Sequence, residues 1–356
     1  MNDLWAAPIT VNLLTGFLGS GKTSLLRRLL RQPDLSDTAV MINEFGEVGL
    51  DHLLLEAVDE EVVLLDSGCV CCTIRGDLKD ALLRLYGRRQ RGEVPPFRRV
   101  VIETTGLADP TPIVATFAAD PMLKHHFRLG NVVTVIDAEC GGANLDCYEE
   151  CRKQVAVGDR LVVSKIDIAG PGKTARLRAR LAAINPTAEI IESGEADDAA
   201  AALLTHDVHD ETTRPDEVRR WLMAEDAMIH DHDHQDHEDR NRHGDIRALV
   251  LSADKPLDWA AFGLWLSMLL NRHGRKVLRV KGLLNIVGRG APVVVQGVQH
   301  LIHKPVHLER WPDNQARTRL VLIVRGLDPG LIDRSFHAFM RLGVEARPLQ
   351  EAVSSA

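Results

Sequence analysis

No stretch of this chain is apolar over the roughly 20 residues that a helix needs to cross a bilayer, so no membrane partner is expected. The opening MNDLWAAPITVNLLTG lacks a basic start, an apolar run of about 7–15 residues and a cleavage site. No signal peptide is expected there, and the expected location is cytoplasmic. Cysteine is scarce, with six in 356 residues. In a reducing compartment cysteines are more often ligands or catalysts than disulfides. A basic excess is missing too: the net charge of -7 argues against a nucleic-acid partner.

What remains is a globular composition, 45% apolar, in a chain long enough for two cores. Short apolar runs alternate with helix-like stretches. Strands are predicted at Ile9–Leu14, Ala39–Ile42, Val62–Leu65, Arg99–Glu103, Val132–Asp137, Arg160–Ser164 and Ala188–Ile191, with amphipathic segments such as Asp77–Arg89 and Thr174–Ile184 between them. Runs apolar throughout suit strands covered on both faces, so the fold class is α/β: a parallel sheet with helices on both sides. Residues His230–Asp245, HDHDHQDHEDRNRHGD, contain nothing apolar and read as a solvated linker. Beyond it, strand patterns at Ile246–Ser252, Lys276–Leu284, Pro292–Val298 and Arg317–Val324, with helices at Leu257–Leu270 and Pro329–Leu342, predict a smaller α+β domain. The expected organisation is 1–225, a linker at 226–245, a C-terminal domain at 246–345 and a tail at 346–356. There is no internal repeat.

The segment LLTGFLGSGKTSLL carries Gly16-x4-Gly21-Lys22-Thr23 between a strand and a helix, the setting of a P-loop. Backbone N–H groups from Gly16, Gly19, Ser20, Gly21 and on to Ser24 would turn toward phosphate oxygens at a helix N-terminus. Lys22 would reach the β- and γ-phosphates and Thr23 would bind Mg2+. Glu103, ending the RVVIE strand before Thr104-Thr105-Gly106, is a second Mg2+ candidate. The alternatives are a glycine turn without a ligand and a loop-capping carboxylate.

Ser164-Lys165-Ile166-Asp167 resembles the Asn-Lys-x-Asp guanine motif with Ser in the first place. An Asp carboxylate accepts N1–H and the 2-amino group of guanine, a pair that adenine does not offer. Asp167 therefore favours GTP over ATP, with Lys165 laid along the base. Losing Asn is expected to remove a brace. Ser193 is a further candidate at the base edge. The bland reading makes Asp167 a helix cap.

GCVCC places Cys69, Cys71 and Cys72 within four residues. Following the predicted strand Val62–Leu65, they are expected to hang at the carboxyl edge of the sheet, where ligands gather. Soft thiolates suit Zn2+, Cu+ or Co2+, and an open site suits transfer better than permanent structure. A redox pair, a structural zinc site and inert buried cysteines stay open. Cys140, Cys147 and Cys151 are dispersed and read as structural. Glu44 or Glu47, in NEFGEVGLD, could give a carboxylate to Mg2+ or to a transferred ion, or could lie in a solvated loop. His230, His232, His234 and His237 could collect metal weakly, or simply belong to a charged spacer.

With TGFLGSGKTSLL, NEFGEVGLD, GCVCC, ETTGLADP, SKID, the His-rich linker and RVKGLLNI…VVVQGVQHL in order along nearly the whole length, the chain resembles the CobW family of P-loop GTPases. The resemblance implies a metallochaperone or insertase that delivers zinc, cobalt or iron to a client metalloprotein, with GTP as the switch. A zinc buffer or sensor, and a nickel-type GTPase for metalloenzyme maturation, are the alternatives. No arginine finger can be assigned, so slow basal turnover is expected. Metal, client and oligomeric state are not encoded in these motifs. Deleting His230–Asp245 should lower metal loading at limiting supply and leave GTP turnover unchanged; an unaltered loading curve would remove the auxiliary role.

Overall fold

The computed structural model describes residues 8–43, 62–64, 70–73, 78–195, 200–207, 214–219, 221–222, 246–313 and 315–345. The chain divides into two compact units, Met1–Ala179 with Ala188–Asp207, and Arg180–Thr187 with Val208–Ala356. The expected linker, 226–245, lies outside the described residues.

In the first unit the chain builds β1 (Ile9–Gly16), α1 (Lys22–Leu29), β2 (Thr38–Asn43), β3 (Val62–Leu64), β4 (Val70–Thr73), α2 (Leu78–Gln90) and β5 (Arg99–Thr104). It continues through α3 (Thr111–Ala119), α4 (Pro121–His126), β6 (Phe127–Asp137), α5 (Gly141–Cys147), α6 (Glu149–Val157), β7 (Arg160–Ser164), α7 (Ile166–Ile184, whose last turn from Arg180 is grouped with the second unit), β8 (Glu189–Glu192) and α8 (Ala200–Thr205). The sheet order is β3-β4-β2-β5-β1-β6-β7-β8. Every neighbouring pair is parallel except β3 with β4. The central strands are buried almost throughout, as their largely apolar runs require. Leu25, Leu26 and Leu29 of α1, at helical spacing, pack with Leu14, Val40, Val101, Val133 and Val162 beneath one face. From β1 the chain crosses first to one side of the sheet and later to the other, so a crevice opens at the carboxyl end of β1.

Two predictions need correction. The strand 62–64 runs antiparallel to β4, so its end does not deliver Cys71 and Cys72 to a loop on the carboxyl edge. They lie inside β4, level with Val40 and Met41 of β2. The strand predicted at Val132–Asp137 starts at Phe127, through Gly130 and Asn131. The polar interruption is tolerated because Asn12, buried in β1, accepts from Asn131 N at 2.8 Å and donates to Leu204 O at 3.0 Å. Asn131 Nδ2 in turn donates to Leu203 O and His206 O, at 3.0 and 2.8 Å. These amides fasten the end of α8 to the sheet.

The second unit carries β9 (Ile246–Ala253), α9 (Trp259–His273), β10 (Val277–Leu284), β11 (Val293–Val298), β12 (Leu301–Ile302), β13 (Val306–His307), β14 (Thr318–Arg325) and α10 (Pro329–Glu345). Its sheet is antiparallel in the order β12-β11-β10-β14-β9, with β13 beside β11. Phe262 and Trp265 of α9 and Phe336 of α10 fill the core on one face. Val218, Trp221 and Leu222 pack with Leu283 and Val294 in a separate cluster, and Lys281 Nζ lies 4.8 Å from the centre of the Trp221 ring.

Removing Asn12 leaves two buried backbone groups without their partner. Asn12→Ala should therefore cost about 2–4 kcal/mol, read from the urea midpoint. A loss below about 1 kcal/mol would mean that this amide is not a fastening.

Candidate functional site

The site grows from the end of β1. At Gly16 the backbone has φ 142°, and a Cβ there would stand 2.3 Å from Val135 O. Only glycine lets β1 turn so tightly against β6. The loop then passes Gly19 and Gly21, with φ of 70° and 92°, into α1. Lys22 Nζ donates to Gly16 O at 3.0 Å and to Phe17 O at 3.1 Å, so the loop curls around its own ammonium. Burial pushes the Lys22 pKa down, and the Glu103 carboxylate partly opposes that shift. A phosphate entering the loop would supply the charge that a buried ammonium lacks.

Thr23 Oγ1 donates to Glu103 Oε1 at 2.6 Å, joining the first turn of α1 to the end of β5. A hydroxyl and a carboxylate oxygen side by side are hard donors of the kind Mg2+ takes. Ser24 is exposed in the same turn, while Ser20 is buried.

On the other side of the loop, Ser164 Oγ donates to Ser20 O at 2.6 Å. The expectation that Ser in place of Asn leaves the motif without a brace is therefore corrected: the shorter side chain holds the P-loop backbone directly. Lys165 takes a left-handed φ of 56°, uncommon for a residue with a side chain. Its Nζ donates to Asp137 Oδ2 at 2.6 Å. Burial alone would raise the Asp137 pKa; the Lys165 bond and the N–H groups of Cys140 and Glu139 outweigh it and hold the carboxyl below its ordinary range. Asp167 is exposed in the first turn of α7. Ser193 N donates to Val163 O at 2.9 Å, and Arg28 of α1 donates to Ser193 O at 2.9 Å. The segments that follow β7 and β8 are thus tied to the P-loop and to α1.

Two family models match the chain: the CobW/HypB/UreG nucleotide-binding domain over residues 10–192, and the cobalamin synthesis protein CobW C-terminal domain over residues 246–340. The chain belongs to the CobW family. It is 33% identical to the zinc chaperone YjiA of Escherichia coli, over 89% of this chain and 94% of YjiA. It is 38% identical to zinc-regulated GTPase metalloprotein activator 1 of Schizosaccharomyces pombe, over 57% of this chain and 50% of that protein. The crystal structure of Zn(II)-bound YjiA GTPase superposes with a TM-score of 0.70 at 30% identity, covering 94% of this chain and 99% of that one. As a CobW family member the chain is a P-loop GTPase.

Other predicted ligands of this CobW family member are placed less fully. Cys71 and Cys72 are described only as backbone of β4. Ile42 of β2 pairs with Thr73 on one side and Glu103 on the other, so Cys72 stands one step before the level of Glu103. Cys69, Glu44, Glu47, His230, His232, His234 and His237 lie outside the described residues. Among the described residues no three His, Cys, Asp or Glu side chains are grouped to hold a metal. No described helix is long and apolar enough to cross a membrane. Asp137 was not singled out in the sequence, although a carboxylate closing an apolar strand beside a P-loop strand is the same signal that marks Glu103.

The Ser164 brace acts on the P-loop backbone and not on the last phosphate. Ser164→Ala should weaken GDP and GTP alike, by about tenfold, in a fluorescence titration. Unchanged affinity for both would show that the bond is idle.

Proposed function

We propose that this chain hydrolyses GTP and uses the reaction to control the binding and release of a transition metal, zinc foremost, for a client metalloprotein. The observation that carries this reading is the register of the sheet. Glu103 pairs with Ile42, and Ile42 pairs with Thr73, the residue after Cys72. Strands β4 and β5 are two spacings apart, about 10 Å. A change at the nucleotide cradle and a change at the cysteine segment would act on the same stretch of sheet.

In this reading Gly16, Gly19, Ser20, Gly21, Lys22, Thr23 and Ser24 hold the phosphates. Asp167, Lys165, Ser164 and Ser193 serve the base. Thr23 and Glu103 would hold Mg2+, which when bound offsets charge building up on the phosphate oxygens. Water attacks the γ-phosphorus, the bond to the β–γ bridging oxygen breaks, and GDP and phosphate leave. Lys22 stabilises the charge on the β–γ bridge. Cys69, Cys71 and Cys72, with Glu44 or Glu47, would hold the cargo ion, for which Co2+ or Fe2+ remain chemically admissible. The similarity to YjiA, a zinc chaperone, and to the S. pombe metalloprotein activator supports both cargo and client. The match at residues 246–340 supports a CobW-type carrier over a nickel-type one, which lacks that domain.

The test is calorimetric titration of Zn2+ into the protein with GDP or with a nonhydrolysable GTP analogue, Mg2+ present in both. The affinities should differ by at least about fivefold. Equal affinities would end the coupling. A Cys71→Ser, Cys72→Ser variant should lose most Zn2+ binding; full retention would move the cargo site elsewhere.

A further inference from the structure

Behind the P-loop lies a cavity of about 10 Å3, lined among others by Ser20, Thr134, Asn144, Cys151 and Gln154. That volume is close to the room one water needs. Two of the lining residues bring unsatisfied chemistry. Ser20 Oγ and Gln154 Oε1 are both buried with no hydrogen-bond partner, and their residues are 2% and 1% exposed. Buried polar atoms without partners are rare in proteins and call for an explanation.

The other end of the Gln154 amide is fully engaged. Nε2 donates to Ala108 O at 2.9 Å and to Gly106 O at 3.2 Å. Two carbonyl acceptors fix the amide's orientation, because only the NH2 end can serve both. The Gln154 backbone is held in turn, its carbonyl accepting from Thr134 Oγ1 of β6 at 2.8 Å. The segment it grips is the turn after β5, closed by Ala108 N to Thr105 O at 3.1 Å. That turn lies on the P-loop: a Cβ at Gly106 would stand 2.6 Å from Leu18 N. It follows directly on Glu103 and Thr104.

We propose that Gln154 is a positioning residue for the nucleotide reaction, and that one water in this cavity joins its Oε1 to Ser20 Oγ. Through Nε2 the side chain sets the Thr105–Ala108 turn against the P-loop; through the water it couples that turn to the loop under the phosphates. In this proposal the turn, which follows the Mg2+ candidate Glu103 at the end of β5 and packs on Leu18 of the P-loop, faces the third phosphate. Gln154 therefore acts on GTP and hardly on GDP. This rests on the GTPase reading above.

The test uses the full-length protein with Gln154→Met, which keeps the side chain's length and removes both donations, and Gln154→Glu, which leaves at most one. GDP and a nonhydrolysable GTP analogue are titrated with Mg2+, alongside kcat and KM for GTP. The ratio of GTP-analogue to GDP affinity should fall about tenfold in both variants, with GDP affinity within about twofold of wild type as proof of folding. The fall in kcat/KM should exceed the fall in GDP affinity. In a double-mutant cycle, Ser20→Ala and Gln154→Met should be non-additive in the GTP-analogue to GDP ratio, since both lose the same water. An unchanged ratio, or equal losses for both nucleotides, would reduce Gln154 to a structural residue and overturn the proposal. Additive effects would remove the bridge. If wild type binds neither nucleotide, the GTPase reading fails with it; if wild type binds both and the variants keep its ratio, this inference alone fails.

Discussion

The bond from Thr23 Oγ1 to Glu103 Oε1 is the point at which the first unit becomes a device. It joins the helix that follows the P-loop to the strand that carries the acidic site. It exists because Gly16 lets β1 end hard against β6, and because Lys22 winds the loop back onto its own carbonyls. Two hard oxygens held side by side ask for a divalent cation, and a buried ammonium beside them asks for phosphate. Neither demand comes from a single residue. Both come from placing the ends of β1 and β5 together at the carboxyl edge of one parallel sheet.

From that bond the sheet offers a short route outward. Backbone pairing runs from Glu103 to Ile42 and from Ile42 to Thr73. Parallel strands buried on both faces deform little, so a displacement at one strand end is shared by its neighbours. On the other side of the loop, Ser164 ties the end of β7 to Ser20 of the P-loop, Arg28 of α1 holds Ser193, and Lys165 pairs with Asp137 at the end of β6.

Much of this was legible in the sequence, and the exceptions have physical reasons. Strands β1, β5 and β7 show as largely apolar runs because helices cover both faces. The P-loop and Glu103 were readable because backbone conformation and hard-ion chemistry restrict residue choice. Strand β4 was missed because four residues, Val-Cys-Cys-Thr, carry too little periodicity, and their thiols suggest a loop of ligands. The antiparallel turn of β3 has no signature in three residues. Asn12 and Asn131 look like polar errors until their partners, far apart in the chain, are known. Gln154 and the Ser164 brace belong to the same class: each depends on a backbone carbonyl that only the tertiary fold brings near. In the second unit, the long strands and the two helices were readable. The cation over Trp221 was not.

The account stands on nearness between the nucleotide and the cysteine segment. Mn2+ in place of Mg2+ and Co2+ as cargo would make that nearness measurable by paramagnetic relaxation, with a GTP analogue bound. Two strand spacings separate β4 from β5, so the ion-to-ion distance should fall in the range of about 10–15 Å. A separation beyond about 25 Å, more than five strand spacings, would contradict any shared pocket and leave the GTPase and the metal as independent functions of one chain.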